Sequence, residues 1–310
     1  MAVETRTFAQ RLRAAQESQG SLLCVGLDPD IARFPDGVAR SPKAVAGFNR
    51  AIIEATADLA CCYKPNMGFY LQYGIPGVEA LARLRDDVPA HIPVLLDAKL
   101  GDISVTSTGY ARAVFETWRY DAVTVNPFLG RDSLEPFLVY PDRAIFVLAK
   151  TSNPGSGMLQ DRLLVGDDGG ETVTMAVVPH ARDWSSGGNV GLLAGDDANE
   201  TVTMAVVRHA RKWSTGGNVG LVAGATWPRQ LAEIRQAAPE LPILIPGVGA
   251  QEGDLAAAVT AGLDADGYGI LVNASRAISY ASSGRDFQEA ARTAATALRD
   301  AINAARAISS

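Results

Sequence analysis

The sequence predicts an α/β protein with the architecture of a (β/α)8 TIM barrel, on the basis of three observations. Strand-like and helix-like segments alternate along almost the whole chain, which is typical of parallel strands joined by crossover helices. Polar and glycine-rich stretches follow the strand-like segments, as do the loops that build the functional face of a barrel. The length of 310 residues suits a barrel of about 250 residues that carries an insertion.

The predicted elements run from end to end without a linker rich in Pro, Gly or Ser, so we expect a single domain over residues 1–310. Residues 1–19 have the pattern of an amphipathic helix, with Phe8 and Leu12 among charged residues, and not that of a signal peptide. A second helix is predicted after a Ser-Pro start signal, because apolar residues recur with the helical period between positions 45 and 55.

The strand-like segments number nine, one more than an eight-stranded barrel holds. They are residues 22–27, 59–64, 94–99, 122–126, 144–150, 189–194, 218–223, 243–246 and 267–272. The surplus comes from a tandem repeat, since residues 163–191 and 192–220 match at an offset of 29 with six mismatches. A solenoid needs about three units and nothing else repeats, so we interpret the repeat as one duplicated helix–strand unit within a barrel.

The two repeat copies are expected to have different positions. The second copy continues directly into residues 224–228 and the next predicted helix, so we expect it to supply the barrel strand. The first copy has Pro179 inside its predicted helix, where a proline costs about 3 kcal/mol. The first copy is therefore predicted to lie outside the closed barrel.

The composition argues against several classes of function. A net charge of −6 and a pI near 5.2 argue against a nucleic acid or an acidic membrane as partner. No apolar stretch approaches the roughly 20 residues that span a bilayer. Cys24, Cys61 and Cys62 are odd in number and form no CxxC pair, so we expect buried thiols in a cytoplasmic protein. The three histidines lack the spacing of metal ligands, and no metal site is predicted.

A charged cluster follows the apolar strand predicted at residues 94–99. Side chains alternate between the two faces of a strand, so Asp97 and Lys99 are expected on the same side, while Asp102 stands beyond a glycine. An ammonium and a carboxylate with little water between them attract far more strongly than in bulk water. A structural ion pair would have the same pattern. The second acid favours a catalytic cluster of Asp97, Lys99 and Asp102.

Asp28 and Lys64 also stand at the ends of predicted strands. Taken alone, each fits a turn residue or a surface lysine. Because the carboxyl ends of parallel strands meet on one face of a barrel, we expect both residues to join Asp97 and Lys99 in one pocket.

Two later segments indicate a phosphate site. The loop at residues 246–251 contains Gly247 and Gly249, which let backbone N–H groups approach an anion, but it lacks the third glycine of a dinucleotide fingerprint. Arg276 follows the last predicted strand and has a guanidinium able to bind phosphate through two hydrogen bonds, although a surface arginine is the alternative. Loops after the seventh and eighth strands are the usual phosphate site of such barrels.

Together these motifs resemble those of the orotidine 5′-phosphate decarboxylase family, and most closely its longer bacterial branch. The resemblance covers nearly all of the chain outside the extra repeat copy. The matching motifs are Gly-Leu-Asp-Pro-Asp (26–30), Lys-Pro-Asn (64–66), Asp-Ala-Lys-x-Gly-Asp-Ile (97–103), Thr-Ser-Asn-Pro-Gly-Ser (151–156), Gly-Ala-Thr-x-Pro (224–228) and Pro-Gly-Val-Gly-Ala-Gln (246–251). Their combination is highly specific, whereas the Asp-x-Lys-x-x-Asp core alone is shared with sugar-phosphate enzymes of the same superfamily.

The resemblance implies that the protein converts orotidine 5′-phosphate to uridine 5′-phosphate, the last step of de novo pyrimidine synthesis, without a metal or organic cofactor. Asp97, Lys99 and Asp102 match the family's catalytic array, in which Lys99 is the cation and the proton donor. The resemblance also implies a homodimer, with Asp102 and Thr106 reaching into the partner subunit's site. The residues implied to bind the substrate are Asp28, Lys64, Thr106, Ser152, Gly247, Gly249, Gln251 and Arg276.

The substrate-binding residues divide by position. Asp28 and Lys64 match residues that hold the ribose and extend the catalytic array, and Ser152 matches a serine that contacts the pyrimidine. Gln251 and Arg276 match the residues that grip the phosphate.

Two other functions stay open from the sequence. Sugar-phosphate lyases of the same superfamily share the charged pattern of residues 97–102 and use Mg2+ to stabilise an enediolate, but they place an acidic metal ligand where Lys64 stands. A catalytically inactive barrel that only binds a ligand is the other alternative. The chain departs from the family pattern at Leu100, where an arginine is expected, and at residues 104–105, where a smaller pair containing glycine is expected.

Overall fold

The computed structural model describes residues 6–161, 163–164, 200–214, 217–247 and 254–308. Within them, eight parallel strands form one sheet, and two short strands form a separate antiparallel pair. The strands are β1 (Leu23–Leu27), β2 (Cys62–Pro65), β3 (Leu95–Leu100), β4 (Ala122–Val125), β5 (Ala144–Lys150), β6 (Leu163–Leu164), β7 (Glu200–Thr201), β8 (Val219–Ala223), β9 (Ile243–Ile245) and β10 (Ile270–Ala274).

Helices alternate with these strands, which confirms the predicted α/β class. They are α1 (Phe8–Gln19), α2 (Val45–Thr56), α3 (Gly68–Leu71), α4 (Gly74–Asp87), α5 (Ser104–Arg112), α6 (Glu135–Leu138), α7 (Gly157–Gln160), α8 (Val202–Trp213), α9 (Pro228–Ala237), α10 (Leu255–Gly262), α11 (Arg276–Ser279) and α12 (Phe287–Ile308). A π-helical turn over Ala113–Thr117 extends α5. Short 3-10 turns occupy Ile31–Arg33, Pro42–Ala44, Pro127–Leu129, Arg131–Ser133 and Pro154–Ser156.

The large sheet curls into a barrel. Its strand order is β2-β1-β10-β9-β8-β5-β4-β3, which places β2 and β3 at the two ends. Tyr63 forms a parallel bridge with Val94 across these ends, and its N–H donates to the carbonyl of Pro93 at 3.1 Å. Asn66 forms a second bridge with Asp97. The predicted barrel is therefore confirmed, and the loops after its strands open on the face at the carboxyl ends of the strands.

The barrel strand from the repeat region belongs to the second copy, as predicted. β8 lies between β5 and β9 and pairs in parallel with both. The described part of the first copy is Leu163–Leu164, which pairs with Glu200–Thr201. The predicted strand at residues 189–194 and Pro179 lie outside the described residues, so the placement of the first copy outside the barrel stays a prediction.

The last barrel strand begins three residues later than predicted, at Ile270 instead of 267. Gly267 and Gly269 have φ angles of 74° and 75°, a left-handed conformation that does not occur within a regular strand. Asp264 stabilises this turn, because its Oδ1 accepts from the N–H of Tyr268 at 2.8 Å. The glycines therefore end a turn and do not belong to the strand.

Helix α1 packs against the apolar interior at the amino ends of the strands. Phe8 and Leu12 belong to this apolar cluster, and the Phe8 ring meets the Phe146 ring edge-to-face at 5.7 Å. Gln16 Nε2 donates to the carbonyl of Ile270 at 2.8 Å. The predicted amphipathic helix is therefore confirmed from Phe8 onward, while Thr7 caps its start and residues 1–5 lie outside the described residues.

The three cysteines are free and buried in the same apolar cluster, as predicted. Burial raises the pKa of the Cys61 and Cys62 thiols well above the usual value, so both are protonated near neutral pH. Among the helices that the structure describes, none combines the length and the apolarity needed to cross a membrane.

Candidate active site

The carboxylate of Asp97 is the centre of a polar cluster at the carboxyl ends of β2, β3 and β4. Lys99 Nζ donates to Asp97 Oδ1 at 2.6 Å, and Lys64 Nζ donates to Asp97 Oδ2 at 3.2 Å. Asn66 Nδ2 donates to the same Oδ2 at 3.0 Å. Thr124 Oγ1 lies 2.9 Å from Asp97 Oδ1 and donates to it. The structure thus brings together Asp97, Lys99 and Lys64, three of the residues predicted for the site.

Lys99 meets Asp97 by a different route from the one that strand alternation predicts. Its φ angle is 52°, in the left-handed region that residues other than glycine rarely adopt. The pairing of β3 with β4 shifts register between Leu96 and Leu100, so the intervening residues form a bulge. The prediction that alternation places both side chains on one face is therefore wrong in its reason. The two groups meet at a bulge with a left-handed residue and not in a regular strand.

The two ammonium groups differ in their exposure to water. The side chain of Lys64 is 4% exposed, whereas that of Lys99 is 46% exposed. Burial by itself lowers the pKa of Lys64, but the carboxylates of Asp97 and Asp28 outweigh it and hold the pKa above its usual value. Lys64 is therefore a buried cation near neutral pH, while the side chain of Lys99 reaches solvent.

Asp97 stays ionised in this setting. Burial raises the pKa of Asp97, but the ammonium groups of Lys64 and Lys99 outweigh burial and hold the pKa well below its usual value of 3.8. Asp28 adds a second carboxylate, and its Oδ1 accepts from the backbone N–H of Asn66 at 3.1 Å. The cluster therefore pairs two ammonium groups with two carboxylates.

Asp102 is not brought into this cluster within the chain. Its Oδ1 accepts from the N–H of Ile103 at 2.7 Å, next to the start of α5, and it has no ion pair with another described residue. Thr106 is exposed on the first turn of α5. The predicted array of Asp97, Lys99 and Asp102 is thus not assembled among the described residues of the chain, because the hydrogen bonds of Asp102 are with Ile103 and Ser107.

Ser152 lies on the loop after β5, and two side chains hold this loop. Trp227 Nε1 donates to the carbonyl of Thr151 at 3.1 Å, and the N–H of Thr151 donates to Gln160 Oε1 at 2.9 Å. The loop also passes close to Gly224, where an added Cβ would lie 2.7 Å from the Cα of Ser152. A residue larger than glycine does not fit at position 224, because the backbone of Ser152 occupies the space that its side chain would need.

The predicted phosphate site is described in part. Gly247 has a φ angle of 92°, a conformation that favours glycine, at the start of the loop after β9. Arg276 is the first residue of α11, and its exposed side chain forms no hydrogen bond or ion pair with a described residue. Gly249 and Gln251 lie outside the described residues.

Sequence reasoning missed two polar groups that contact Asp97. Asn66 lies in the quoted Lys-Pro-Asn motif, so its position was marked but its role was not. Thr124 is the one polar residue in the apolar strand Ala122–Val125, and this could have indicated that its hydroxyl has a role in the site. Sequence reasoning also missed the ion pair between Lys150 and Asp161, whose Nζ and Oδ1 lie 2.6 Å apart at the base of the Ser152 loop.

Possible metal ligands are sparse in this region. Among the described residues, no three His, Cys, Asp or Glu side chains come together in a group that could hold a metal ion. The positive charge of the site is supplied by lysine side chains, with Lys64 and Lys99 on either side of Asp97.

A sequence model of the orotidine 5′-phosphate decarboxylase / HUMPS family matches residues 21–204. The chain belongs to this family. Curated members include orotidine 5′-phosphate decarboxylase from Thermomicrobium roseum, 50% identical over 301 residues that cover 97% of this chain and 96% of that protein. The protein of the same name from an Azoarcus species is 44% identical over 302 residues, covering 96% of this chain and 99% of that protein.

Solved structures of the family share the barrel. Leishmania donovani OMP decarboxylase has 38% sequence identity and a TM-score of 0.75, covering 97% of this chain and 98% of that chain. Leishmania donovani UMP synthase has 39% identity and a TM-score of 0.78, and the match covers 97% of this chain but 57% of that longer one. The family is therefore supported by sequence and by fold over nearly the whole length of this chain.

Proposed function

We propose that this protein decarboxylates orotidine 5′-phosphate to uridine 5′-phosphate. The observation that carries the proposal is the Asp97 carboxylate held between the ammonium groups of Lys64 and Lys99, at the strand ends of a barrel of this family. Relatives that cover almost the whole chain bear the name of this activity. The substrate is accordingly a small nucleotide.

The chemistry requires a cation close to the reacting carbon. Release of carbon dioxide breaks the bond between C6 and the carboxylate carbon and leaves the electron pair on C6. No adjacent group delocalises this pair, so the site has to stabilise a localised negative charge. We assign this role to the Lys99 ammonium, which then donates a proton to C6 and regains one from water. Asp97 orients Lys99 through the 2.6 Å hydrogen bond.

The remaining binding groups act at a distance from C6. We assign Asp28 and Lys64 to the ribose and Ser152 to the pyrimidine ring. Arg276 is assigned to the phosphate, together with a loop that contains Gly247, Gly249 and Gln251 and opens in the left-handed conformation at Gly247. Binding energy from the phosphate can then be used to orient the reacting ring and to exclude water from it.

A magnesium-dependent lyase is the nearest alternative, and the electrostatics of the site disfavour it. Lys64 is buried and charged, 3.2 Å from Asp97, at the position where an acidic metal ligand would be needed. A divalent cation close to Asp97 would be repelled by this ammonium and by Lys99. No cofactor is required by the proposed reaction.

We further propose a homodimer with active sites shared between subunits. Asp102 and Thr106 have no partner in the charged cluster of their own chain, and two apolar side chains beside them, Ile103 and Val105, are 66% and 83% exposed. Exposed apolar groups next to unused polar groups are typical of an interaction surface. The dimer would cover these side chains and bring Asp102 to the Lys99 of the opposite subunit.

We also propose where the protein acts in the cell and how its chain is organised into a domain. The buried free thiols support a reducing cytoplasm as the place of action. Residues 1–310 are proposed to form one domain, with residues 163–191 as the copy outside the barrel and residues 192–220 as the copy that supplies its strand.

The decisive experiment is an absorbance assay with orotidine 5′-phosphate, in the presence and absence of EDTA. We expect turnover that EDTA does not change, and no turnover by Lys99→Ala protein. Activity that EDTA abolishes would support the magnesium-dependent alternative. A folded wild-type protein without any turnover would contradict the proposal and support a barrel that only binds its ligand.

A further inference from the structure

The bulge at Lys99 takes the backbone N–H groups of Ala98 and Lys99 out of the regular pairing with β4. Leu96 pairs with Val123 and Leu100 with Val125, so four steps along β3 correspond to two steps along β4. The residues between them cannot all bond to the backbone of the neighbouring strand. An unpaired N–H group in a partly buried position is unfavourable, so the bulge needs another acceptor.

The hydroxyl of Thr124 is that acceptor. The N–H groups of Ala98 and Lys99 both donate to Thr124 Oγ1, each at 2.9 Å. Thr124 lies on β4 and is 1% exposed, so water does not compete for these bonds. One side chain thus replaces the missing backbone acceptors of the neighbouring strand and supports the left-handed conformation of Lys99.

The two hydrogen bonds that the Thr124 hydroxyl accepts also determine where it donates its proton. A hydroxyl has one proton and two lone pairs. Since both lone pairs accept from backbone N–H groups, the proton is left for Asp97 Oδ1, 2.9 Å away. This Oδ1 is the oxygen that accepts from Lys99 Nζ at 2.6 Å. Thr124 therefore contacts both the backbone of Lys99 and the carboxylate that orients its ammonium.

We propose that Thr124 is a positioning residue of the decarboxylation: its hydroxyl holds the bulge and Asp97 in the arrangement that presents the Lys99 ammonium to C6. This inference rests on the proposed function. Thr124 need not touch the substrate, and its effect passes through Asp97 and Lys99. Because the predicted phosphate and pyrimidine contacts lie on other loops, the loss of this hydroxyl should change the chemical step and leave substrate affinity nearly unchanged.

The test compares Thr124→Val, Thr124→Ser and Thr124→Ala. Valine keeps the shape and removes the hydroxyl, so we expect kcat to fall about 10- to 100-fold, the scale of a hydrogen bond to a charged group, with KM within about twofold of wild type. Serine keeps the hydroxyl and should restore kcat to within about threefold of wild type, while alanine should behave like valine. The comparison of serine with alanine separates the hydroxyl from the methyl group even if the valine variant folds poorly.

Thr56→Val is the matched control. Thr56, in helix α2, is also fully buried; its hydroxyl donates to the carbonyl of Ile52 at 2.8 Å and lies 2.8 Å from the hydroxyl of Tyr63, and it forms no hydrogen bond with Asp97, Lys99 or Lys64. We expect this variant to lose stability in thermal unfolding and to keep its kcat. Equal kcat losses in the Thr56 and Thr124 valine variants, or a serine variant as slow as the alanine one, would overturn the inference. Wild-type protein that does not turn over orotidine 5′-phosphate would instead overturn the proposed function, and the positioning role with it.

Discussion

At the scale of single residues, Asp97 organises the charge of the site. Its two oxygens accept from Lys64, Asn66, Lys99 and Thr124, which uses about all of the lone-pair positions that a carboxylate offers. A partly buried carboxylate that accepts from this many donors is more stable as the anion than as the neutral acid. The depressed pKa of Asp97 follows from this arrangement.

The first prediction concerns Asp97→Asn. At neutral pH this change leaves the Lys64 ammonium buried without the carboxylate to which it hydrogen-bonds, and we expect a loss of about 3 kcal/mol in the free energy of unfolding. Because the pKa of Asp97 is depressed in the folded state, its contribution is present above the unfolded pKa near 3.8 and is lost as the pH falls below that value.

Urea unfolding of both proteins at several pH values checks this prediction. The difference in unfolding free energy between wild type and variant should be constant from pH 7 to about pH 5, and it should shrink below about pH 4. A difference that is the same at all these pH values, or a variant more stable than wild type at pH 7, would contradict the assigned ion pairs.

The second prediction concerns Arg276→Ala. The exposed side chain has no bonding partner among the described residues, so stability should change by less than about 0.5 kcal/mol. A charge-assisted contact to phosphate should be lost, and we expect kcat/KM for orotidine 5′-phosphate to fall about 10- to 100-fold, mainly through KM. Orotidine without its phosphate is the control substrate, and wild type and variant should handle it alike. A similar loss with both substrates would mean that Arg276 does not bind the phosphate.

At the scale of elements, the loop after β5 depends on close packing with the loop after β8. Lys150 Nζ is buried at the end of β5, where it bonds Asp161 and lies 4.8 Å from the centre of the Trp227 ring. The N–H of Gly224 donates to the carbonyl of Lys150 at 2.8 Å. These contacts fix the base of the loop, so Ser152 has a defined position relative to the barrel.

The third prediction follows from this packing. In Gly224→Ala, the new Cβ would lie 2.7 Å from the Cα and 2.9 Å from the N of Ser152, so the loop backbone has to move. We expect a loss of stability of about 1–3 kcal/mol and a reduced kcat/KM, because Ser152 is displaced. The control is Gly47→Ala in α2, where the added Cβ would meet no atom within 4 Å beyond the backbone of its own helix. This variant should gain roughly 0.5–1 kcal/mol in the free energy of unfolding without a change in activity. Wild-type kinetics for Gly224→Ala would show that the position of Ser152 is not critical.

At the scale of the whole molecule, the proposed dimer accounts for the position of Asp102 outside the charged cluster. Asp102 stands after β3 and bonds the start of α5, not the Lys99 ammonium. The exposed side chains of Ile103 and Val105 flank it. A two-fold symmetric dimer would give each site one Asp102 from the opposite chain.

The fourth prediction tests this sharing. Lys99→Ala and Asp102→Ala should each be inactive and folded. If Asp102 serves the opposite site, a mixed dimer has one site with both defects and one site with neither. Random exchange makes about half of the dimers mixed, so activity should return to about a quarter of the wild-type level. Subunit exchange can be verified by mass spectrometry. If exchange has occurred and activity does not return, each site lies within one chain.

Much of the fold was predictable because its signals are local. Apolar runs bounded by polar loops marked the eight barrel strands, and the continuation of the second copy into α9 indicated which copy enters the sheet. The start of β10 was not predictable. Gly267 and Gly269 form a left-handed turn, but in the sequence alone they look like glycines within a strand. Their conformation depends on the turn that Asp264 stabilises.

By itself, the sequence determined which residues stand at the ends of the strands, because each strand and each loop has its own local pattern. Asp97, Lys99 and Lys64 were found in this way. Only the tertiary structure decided how these groups meet: the bulge at Lys99, the hydroxyl of Thr124 beneath it and the separation of Asp102 from the cluster. The physical reason is that hydrogen bonds between neighbouring strands depend on their register, and the closure of the whole ring decides the register.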